Sequence, residues 1–482
     1  MISGAEIILK QLLERNIDTV FGYPGGAIMP VYDELLKYEG VITHYRSAHE
    51  QGAMHAADGY SRSTGNAGIC FVTSGPGATN TITGLATAYM DSIPVVVFSG
   101  QVPTVLLGKD SFQEIDITSI CEPITKKTFL VENVDDLAAT VDQAISIALG
   151  GRQGPVLVDL PKDVLLAKSS DYPYESKKSI KDSSVDEDML DEVAARINSA
   201  RKPLIYAGGG IKMGNASDNM FAIAAKASIP VANTLMGLGS FPIDHPLALG
   251  LSGMHGHPET NEAINACDLL ITIGARFSDR SVGTASTFAK DAFIIHFDID
   301  ETEFSKNIES HLYVEDPLNA FLDRLLEKVN ENSHAEWNEW IDSRKHNQKD
   351  DSIYCPENIL KLVNTYYDDN TILVTDTGQH QIWAAQYWKF KNPDEFLTSG
   401  GLGTMGYGLG AAIGAAVGNP GKNVVLITGD GSFRMNSNEM LTVSSYNLPI
   451  TIVLMNNESL GMVRQWQKLF NDKRYSETDN KA

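Results

Sequence analysis

Cysteine is scarce in this chain of 482 residues, which contains only Cys70, Cys121, Cys267 and Cys355. The four lie far apart in the sequence, and no pair has the close spacing of a zinc-binding motif. So few cysteines in a long chain are typical of a reducing compartment. The sequence therefore predicts a cytoplasmic protein in which all four cysteines are free and packed in the interior.

Basic residues are also in the minority. Lys and Arg number 38 against 61 Asp and Glu, which gives a formal net charge of −23. Binding to nucleic acid depends on basic surface, so the charge excludes nucleic acid as the partner. The net charge does not attract small anionic substrates either, and a site for one must depend on local hydrogen-bond donors.

Long apolar runs are missing as well. No run approaches the roughly 20 residues that cross a bilayer, so the sequence predicts no membrane segment. Residues 1–17 place Glu6, Lys10, Glu14 and Arg15 among apolar residues at helical spacing. This pattern predicts an amphipathic helix and not a signal peptide.

Glycine and apolar residues are abundant, and their pattern indicates α/β domains. The chain has 41 glycines and 43% hydrophobic residues, and most short apolar runs end in Gly, Asp or Asn before a helical pattern. Buried parallel strands are predicted at 68–73, 93–99, 156–160, 203–207, 269–273, 293–297, 371–375, 424–428 and 450–455.

Two polar stretches, 168–188 and 330–351, divide these strands into three groups. In the second stretch Trp337, Trp340 and Ile341 predict a short helix. We therefore predict three doubly wound α/β domains with parallel sheets, at 1–167, 186–330 and 352–482.

The most specific motif lies in the third predicted domain. A strand runs into Gly429-Asp430-Gly431-Ser432, a helix is predicted at 436–446, and the next strand ends at Asn456-Asn457. Asp430 and Asn457 could then share a magnesium ion, while the glycines let the backbone approach a diphosphate. Either element alone is more often a turn, but the series resembles the motif that holds magnesium and thiamine diphosphate in thiamine enzymes.

A glutamate at the start of a predicted helix is the second marker. Glu50 follows His49, and alone it would be read as a residue that complements the helix dipole. The Gly75-Pro76-Gly77 turn lies downstream, followed by Phe112-Gln113-Glu114 and, near the other end of the chain, by 461–466. Together these segments resemble the acetolactate (acetohydroxyacid) synthase family over nearly the whole chain.

The resemblance implies roles at both ends of the cofactor. Glu50 would hydrogen-bond the aminopyrimidine ring of thiamine diphosphate and stabilise its imino tautomer, which removes the thiazolium proton. Asp430, Asn457 and Ser459 would hold Mg²⁺, and Met405 would support the bent cofactor. The other implied contacts of thiamine diphosphate are Thr377, Gly378, Gln379, His380, Gly403, Gly429, Gly431, Ser432, Leu460, Gly461 and Met462.

A substrate channel is implied by the same resemblance. Phe112, Gln113 and Lys126 would lie close to the reacting keto acids, and Trp466 would line the pocket that selects the acceptor. As lone residues, Phe112 and Trp466 would be read as core or channel lining. The implied channel residues are Trp466, Arg280 and Pro103.

The middle domain resembles the FAD domain of the anabolic members of the family. A glycine run alone is a weak sign of a phosphate site, but several matching segments recur here. The residues implied to contact FAD are Arg152, Gly208, Gly209, Gly210, Thr234, Leu235, Met236, Met254, His255, Gly256, Gly274, Ala275, Arg276, Asp298 and Ile299.

The implied activity is that of a thiamine-diphosphate-dependent transferase. It would decarboxylate pyruvate and transfer the two-carbon unit to pyruvate or 2-ketobutyrate, giving 2-acetolactate or 2-aceto-2-hydroxybutyrate for branched-chain amino acid synthesis. Active sites between subunits imply a homodimer or homotetramer, and the presence of a small regulatory subunit stays open. Relatives continue with another strand and helix, so the third domain is expected to be shortened at its C-terminus.

Two alternatives stay open at this point. The chain could be another thiamine enzyme, such as a pyruvate oxidase or a keto acid decarboxylase, although Phe112, Gln113, Lys126 and Trp466 argue against it. It could also be a non-catalytic protein that holds the cofactor or pairs with a partner. An activity assay with product identification separates all three.

Overall fold

The computed structural model describes residues 1–170, 172–174, 185–345, 352 and 355–480. Parts of both polar stretches predicted to contain domain boundaries, 175–184 and 346–351, lie outside the described residues. The chain divides into two compact units. Unit 1 contains the described residues within 1–179, 371–381 and 397–482, and unit 2 contains those within 180–370 and 382–396. Most of the third predicted domain thus shares unit 1 with the first, while its described residues within 352–370 and 382–396 belong to unit 2.

The N-terminal part of unit 1 is a parallel sheet with helices on it. Its strands are Ile2–Ser3 (β1), Thr19–Gly22 (β2), Thr43–Arg46 (β3), Gly68–Val72 (β4), Val95–Gln101 (β5), Lys127–Leu130 (β6), Val156–Pro161 (β7) and Lys168–Ser169 (β8). Six of them form the sheet, in the order β3-β2-β4-β5-β7-β6 with every neighbouring pair parallel, and β1 and β8 form a separate antiparallel pair. The central strands β4, β5 and β7 are buried along their whole length, as their continuous apolar runs predict.

Helices follow these strands in sequence. They are Gly4–Glu14 (α1), Met29–Leu35 (α2), Glu50–Thr64 (α3), Pro76–Thr79 (α4), Ile82–Asp91 (α5), Ile117–Cys121 (α6), Leu137–Leu149 (α7) and Lys162–Leu166 (α8). The predicted amphipathic N-terminal helix is α1. It begins after Ser3, whose Oγ accepts a hydrogen bond from the Glu6 amide at 3.1 Å and so caps the helix.

Unit 2 contains the second parallel sheet. Its strands are Pro203–Ala207 (β9), Val231–Asn233 (β10), Ala248–Leu251 (β11), Leu269–Ile273 (β12), Phe293–Phe297 (β13) and Leu312–Val314 (β14). The helices of unit 2 are Glu187–Ser199 (α9), Gly210–Met213 (α10), Ser217–Ala227 (α11), Pro258–Ala266 (α12), Asp279–Val282 (α13), Leu318–Lys328 (α14), Ala335–Asp342 (α15) and Pro356–Asn364 (α16). The order β11-β10-β9-β12-β13-β14 reverses between β9 and β12. Such a switch point opens a crevice at the carboxyl ends of the strands.

The C-terminal sheet of unit 1 has the order β16-β15-β17-β18. Its strands are Thr371–Thr375 (β15), Phe396–Leu397 (β16), Asn423–Gly429 (β17) and Ile450–Met455 (β18), and its helices are Gln379–Tyr387 (α17), Tyr407–Gly418 (α18), Asp430–Met435 (α19), Met440–Ser445 (α20) and Gly461–Phe470 (α21). β15, β17 and β18 run parallel, so their carboxyl ends meet at one edge.

Two glycine-rich helices, α3 and α18, join the two sheets of unit 1. A Cβ atom added to Gly414 would lie 1.9 Å from the carbonyl oxygen of Ala56, and one added to Gly59 would lie 2.2 Å from that of Ala411. Only glycine permits so close an approach of two helix backbones. Gly410 lies beside Gly52, near the N-terminal ends of the two helices, and Gly418 lies beside Thr64 at their C-terminal ends. The two helices are therefore parallel.

The sequence predictions for the fold are mostly confirmed. Each predicted strand is present within two residues at either end, the short helix around Trp337 is α15, and all four cysteines are free and buried. The helix predicted at 436–446 is wrong in its start, because the chain is already helical at Asp430. Asn436 then leaves the helical conformation, with φ −136°, and donates from Nδ2 to the Gly406 carbonyl at 3.1 Å. None of the described helices is both long and apolar enough to cross a bilayer.

Candidate functional site

The carboxyl ends of β17 and β18 bring the two predicted metal ligands together. Gly429 is in register with Met455, so Asp430 and Asn457 leave neighbouring strands at the same level. The Asn457 amide faces Asp430 Oδ1 at 3.4 Å, and the side-chain oxygen of Asn457 accepts from the Ser459 amide at 3.1 Å. The Asn480 amide group donates to Asp430 Oδ2 at 2.5 Å. A cation bound by both Asp430 oxygens would have to displace this amide.

Two polar atoms at this edge are buried without a hydrogen-bond partner among the described residues. They are Thr377 Oγ1 and His380 Nε2. An unsatisfied buried polar atom is costly, so such a pair indicates a site that a polar ligand completes. Burial lowers the pKa of His380 to about 4, so its imidazole is neutral at pH 7.

Glycines at this edge make room for the His380 ring. A Cβ atom added to Gly429 would lie 2.8 Å from His380 Nδ1, and one added to Gly378 would lie 2.7 Å from His380 Cε1. Ser432 Oγ, in the first turn of α19, donates to the Thr377 carbonyl at 2.9 Å and ties the two loops together. The edge is therefore a cradle of backbone and small side chains, which suits a diphosphate.

Met405 lies at the same edge. A Cβ atom on Gly431 would be 3.6 Å from Met405 Cε and 2.7 Å from Leu460 Cδ2. Gly403 and Gly406, on either side of Met405, have φ of +70° and +85°, which explains glycine at both positions. The structure thus brings Met405, Gly431 and Leu460 together, as the sequence predicted.

The start of α21 completes this cluster. A Cβ atom on Gly461 would lie 2.1 Å from Gln379 Oε1 and 2.7 Å from Asn457 Nδ2. Met462 follows in the first turn of the helix and is half-buried. The Ser459 hydroxyl donates to the Thr478 carbonyl at 2.9 Å, whereas the Ser459 backbone amide donates to the Asn457 side chain. In this arrangement the hydroxyl bonds to Thr478 and not to Asn457.

The donor set fits magnesium and a diphosphate. Among the described residues, no three His, Cys, Asp or Glu side chains form a metal cluster. Asp430 would therefore be the carboxylate ligand, and side-chain amide or backbone oxygens would supply the other protein ligands. Magnesium prefers few protein ligands and takes the remainder from substrate phosphates and water.

One buried acid at this edge was missed by the sequence analysis. Asp376 is buried beneath the loops and accepts from the Gly406 amide at 2.8 Å and from Thr428 Oγ1 at 3.1 Å. Burial raises the pKa of Asp376 to about 6. Its position at the end of an apolar strand was the available signal, but an Asp there is more often a turn residue.

Glu50 begins α3 and is held on two sides. Its Oε2 accepts from Asn80 Nδ2 at 3.0 Å, and a Cβ atom on Gly77 would lie 3.3 Å from its Oε1. His49 caps the helix, with Nδ1 accepting from the Gln51 amide at 3.1 Å. The Gly75–Gly77 turn therefore fixes the carboxylate at the start of the helix, where the dipole favours its charge.

A second carboxylate, Glu439, supports the backbone just before Glu50. It is fully buried, and its oxygens accept from the amides of Ala48 and His49 at 3.1 and 3.0 Å and from Thr442 Oγ1 at 2.6 Å. Burial raises the pKa of Glu439. Local sequence does not reveal this role, because the amides of Ala48 and His49 lie almost 400 residues away.

The predicted channel residues are scattered over exposed surface of the chain. Gln113 has φ +61° and its backbone lies against Gly75, so it adjoins the turn beside Glu50. Phe112 is 88% exposed, and Trp466 packs on Phe470 of α21 with ring centroids 5.0 Å apart. Lys126 Nζ donates to the Gly150 carbonyl at 2.6 Å, beyond the end of α7.

Two further predicted residues lie in loops of unit 1. Pro103, predicted to line the channel, follows β5, and its carbonyl accepts from the Leu106 amide at 2.8 Å. Arg152, predicted to contact FAD, donates from Nε to Ser92 Oγ at 3.0 Å. The structure therefore places both beside the N-terminal sheet.

Unit 2 gathers the predicted FAD segments at one edge of its sheet. Five loops begin directly after β9, β10, β11, β12 and β13, and all five strands are parallel. The predicted residues there are Gly208, Gly209, Gly210, Thr234, Leu235, Met236, Met254, His255, Gly256, Gly274, Ala275, Arg276, Asp298 and Ile299. All of these residues lie at the carboxyl edge of the sheet, where the reversal of strand order opens the crevice.

The glycines of this edge mainly pack on one another. A Cβ atom on Gly208 would lie 2.1 Å from the Gly274 carbonyl oxygen, and the Gly210 amide donates to the same oxygen at 3.0 Å. The charged groups lie farther out, since the Arg280 side chain is 59% exposed and its Nη1 approaches Met254 Sδ at 3.5 Å. Burial lowers the pKa of His255, and nearby Arg280 adds to the effect.

Comparison with known proteins gives a consistent answer along the chain. Residues 2–120 match the N-terminal TPP binding domain of thiamine pyrophosphate enzymes, residues 190–325 match their central domain, and residues 376–482 match their C-terminal TPP binding domain.

Individual relatives match over almost the whole chain. The acetolactate synthase large subunit of Lactococcus lactis is 42% identical over 99% of this chain and 84% of that protein. The isozyme 2 large subunit of Escherichia coli is 44% identical over 99% of this chain and 87% of that protein. The probable acetolactate synthase large subunit of Methanocaldococcus jannaschii is also 44% identical, over 99% and 84%.

Proposed function

The chain belongs to the acetolactate synthase large-subunit family of thiamine diphosphate enzymes, and we propose that it joins two 2-keto acids in the same way. Pyruvate would lose carbon dioxide, and its two-carbon unit would pass to a second pyruvate or to 2-ketobutyrate. The products are 2-acetolactate and 2-aceto-2-hydroxybutyrate, which lead to branched-chain amino acids. Four free, buried cysteines support a reducing compartment such as the cytoplasm.

One observation carries this proposal. Asp430, Asn457, Thr377 and His380 converge at the carboxyl ends of β15, β17 and β18, and two of their polar atoms are buried without a partner among the described residues. A diphosphate with its magnesium ion would satisfy those atoms. Asp430 and Asn457 would hold the ion, with Ser459 nearby, and the first turn of α19 would donate amides to the phosphate oxygens.

Bound thiamine diphosphate would supply a carbanion centre for addition to the keto group and would take up the electrons left when carbon dioxide departs. Glu50 would hold a proton for the aminopyrimidine ring, with its carboxylate oriented by Asn80. Glu439 accepts from the backbone amides of Ala48 and His49 and so holds the chain just before Glu50. Met405, beside Gly431, would support the cofactor.

FAD is proposed as a bound group of unit 2. The crevice of the switch point is where such sheets bind dinucleotides, and the loops after β9 to β13 would line the site. Within unit 2, Arg276 would pair with the pyrophosphate, and Met254 and His255 would contribute from their loop. The flavin has no assigned electron transfer in the proposed reaction.

The assembly is proposed to be a homodimer or homotetramer with active sites between subunits. The large-subunit names of the relatives further suggest a small regulatory subunit as a partner. Exposure of Phe112 and Trp466, which the substrate would have to meet, is consistent with a site that a second chain closes.

The experiment is turnover of pyruvate by the purified chain with thiamine diphosphate, Mg²⁺ and FAD, followed by identification of the product. We expect 2-acetolactate, and 2-aceto-2-hydroxybutyrate when 2-ketobutyrate is added. Acetaldehyde or acetyl phosphate as the main product would identify a decarboxylase or an oxidase instead. Cofactor binding without any product would favour a non-catalytic binding protein.

A further inference from the structure

A buried charged cluster lies between α3, α5 and the segment 398–406, which we call the glycine loop because it contains Gly400, Gly401, Gly403 and Gly406. Arg62 of α3 pairs with Asp58 at 2.6 Å and with Asp91 at 2.9 Å. Both carboxylates are fully buried, and the Arg62 side chain is only 6% exposed. None of the roles described so far uses this cluster.

The cluster binds the glycine loop directly. The Asp91 oxygens accept from the amides of Gly400 and Gly401 at 3.0 and 2.7 Å, and Arg62 Nη1 donates to the Thr398 carbonyl at 3.0 Å. A Cβ atom on Gly401 would lie 2.9 Å from Asp91 Oδ1, so glycine is needed for this approach. Four residues after Gly401, the chain reaches Met405.

Arg62 alone does not satisfy both carboxylates, and the amides of the glycine loop complete the hydrogen bonding of Asp91. Two carboxylates face one guanidinium, and Asp91 is the last residue of α5, where the helix dipole disfavours a negative charge. The Tyr407 hydroxyl donates to Asp58 at 2.7 Å, which leaves Asp91 to be satisfied by Arg62 and the two loop amides. A buried carboxylate without its donors is costly, so burial of Asp91 favours the one loop conformation that presents both amides.

We propose that Asp91, held by Arg62, is a positioning residue that fixes the glycine loop and thereby the support that Met405 gives to thiamine diphosphate. The proposal rests on the proposed function for the role of Met405. A further contact, between Thr87 Oγ1 and Thr404 Oγ1 at 2.7 Å, ties the next part of the loop to the same helix α5. The loop is thus fixed from α5 at two points before it reaches Met405.

The first test measures hydrogen–deuterium exchange in the full chain without cofactor. Asp91→Asn replaces one acceptor oxygen by a donor that faces the loop amides, and we expect exchange of peptides covering 398–406 to rise roughly tenfold or more. Asp142→Asn is the matched control, since Asp142 is also a buried partner of an arginine, Arg15, in unit 1 but lies away from the loop. Unchanged exchange in the Asp91 variant would overturn the proposal.

A second variant covers the case in which Asp91→Asn does not fold. Asp91→Glu keeps the charge beside Arg62 but moves the oxygens by one methylene, so the same rise confined to 398–406 is expected. A rise spread over the whole of unit 1, or none at all, would contradict a specific role in the loop.

The cofactor part is tested by calorimetric titration with thiamine diphosphate and Mg²⁺. Asp91→Asn should weaken binding roughly tenfold, and the loss should shrink in a Met405→Ala background if Asp91 acts through Met405. Strictly additive losses would overturn the coupling to Met405. If the unchanged chain binds no thiamine diphosphate, the proposed function fails, while the exchange data still decide whether Asp91 holds the loop.

Discussion

The two units end their parallel strands in loops of different chemical character. In unit 1 the loops bury Asp376, His380 and Asp430, and two polar atoms stay unsatisfied among the described residues. In unit 2 the glycines pack against one another, but Thr272 Oγ1 and His296 Nδ1, near the ends of β12 and β13, are likewise buried without a partner among the described residues. Unsatisfied atoms therefore occur in both units, and what sets unit 1 apart is the pair of carboxylates buried at its candidate metal site, which are groups that can hold and move protons. We therefore expect chemistry in unit 1 and binding without chemistry in unit 2.

The largest effect should follow from Asp430→Ala. Removing the carboxylate at the end of β17 leaves Asn457 as the remaining side-chain ligand named for the ion, so Mg²⁺-dependent binding of thiamine diphosphate should weaken by more than about 100-fold. Calorimetric titration measures this directly. Asp472→Ala removes an exposed aspartate of the same sheet region and should leave the affinity unchanged. Equal affinities in both variants would mean that Asp430 only shapes a turn.

Glu50→Gln should separate chemistry from binding within unit 1. The amide keeps the size and can still contact Asn80, but it cannot hold the proton, so exchange of the thiazolium proton should slow by roughly 100-fold or more. Nuclear magnetic resonance of the bound cofactor after transfer to deuterated water measures the exchange. Glu132→Gln, at an exposed loop position, is the control. Near-normal exchange with intact binding would remove Glu50 from the mechanism.

Within unit 1 the sequence predicted some of these groups better than others. Asp430, Asn457 and Glu50 follow strands or begin helices, where local pattern and the resemblance both apply, and the structure places them as expected. Glu439 and Asp91 could not be found in this way, because their partners are backbone amides several hundred residues away. Nothing local marks a carboxylate as buried, and these contacts form only when the N-terminal and C-terminal parts of unit 1 pack together.

The sequence also could not show what lies beside each glycine that follows a strand. At Gly429 and Gly378 the absence of a side chain makes room for the His380 ring, so a side chain of the protein itself lies beside both glycines. At Gly208 and Gly274 the same residue type permits contact between two loops instead. The pattern of glycines after strands was visible in the sequence, but what fills the space depends on the neighbouring strand, which sequence spacing does not determine.

The prediction that unit 2 binds a cofactor without taking part in the chemistry can be tested with FAD. The purified chain should carry FAD whose absorbance does not change during turnover, because no step of the proposed reaction needs its electrons. Arg276→Ala should weaken FAD binding by roughly tenfold or more, since a charge-assisted contact is lost. Arg201→Ala, exposed on the same unit, should not. Bleaching of the flavin with pyruvate would give unit 2 a redox role and break the comparison.

The smallest effect is expected at the surface of unit 1, where Trp466→Leu should alter the choice of acceptor. Pyruvate and 2-ketobutyrate differ by one methylene, and recognition of a methylene in an apolar pocket is worth only about 1–3 kcal/mol. Because leucine still covers part of the pocket, only the lower end of that range should be lost, and the share of 2-aceto-2-hydroxybutyrate in a competition between equal acceptor concentrations should fall by roughly fivefold to tenfold. The overall rate should change little, because the buried charges at Asp430 and Glu50 are untouched.

The stacking of Trp466 on Phe470 provides the control for this last change. Phe470→Leu weakens the packing of the same helix face, with ring centroids 5.0 Å apart, but removes no group assigned to the pocket. If only the Trp466 variant shifts the product ratio, the indole ring itself selects the acceptor. If both variants shift it equally, the position of α21 determines the choice. If neither does, Trp466 does not line the pocket, and selectivity must come from residues nearer to Gln113.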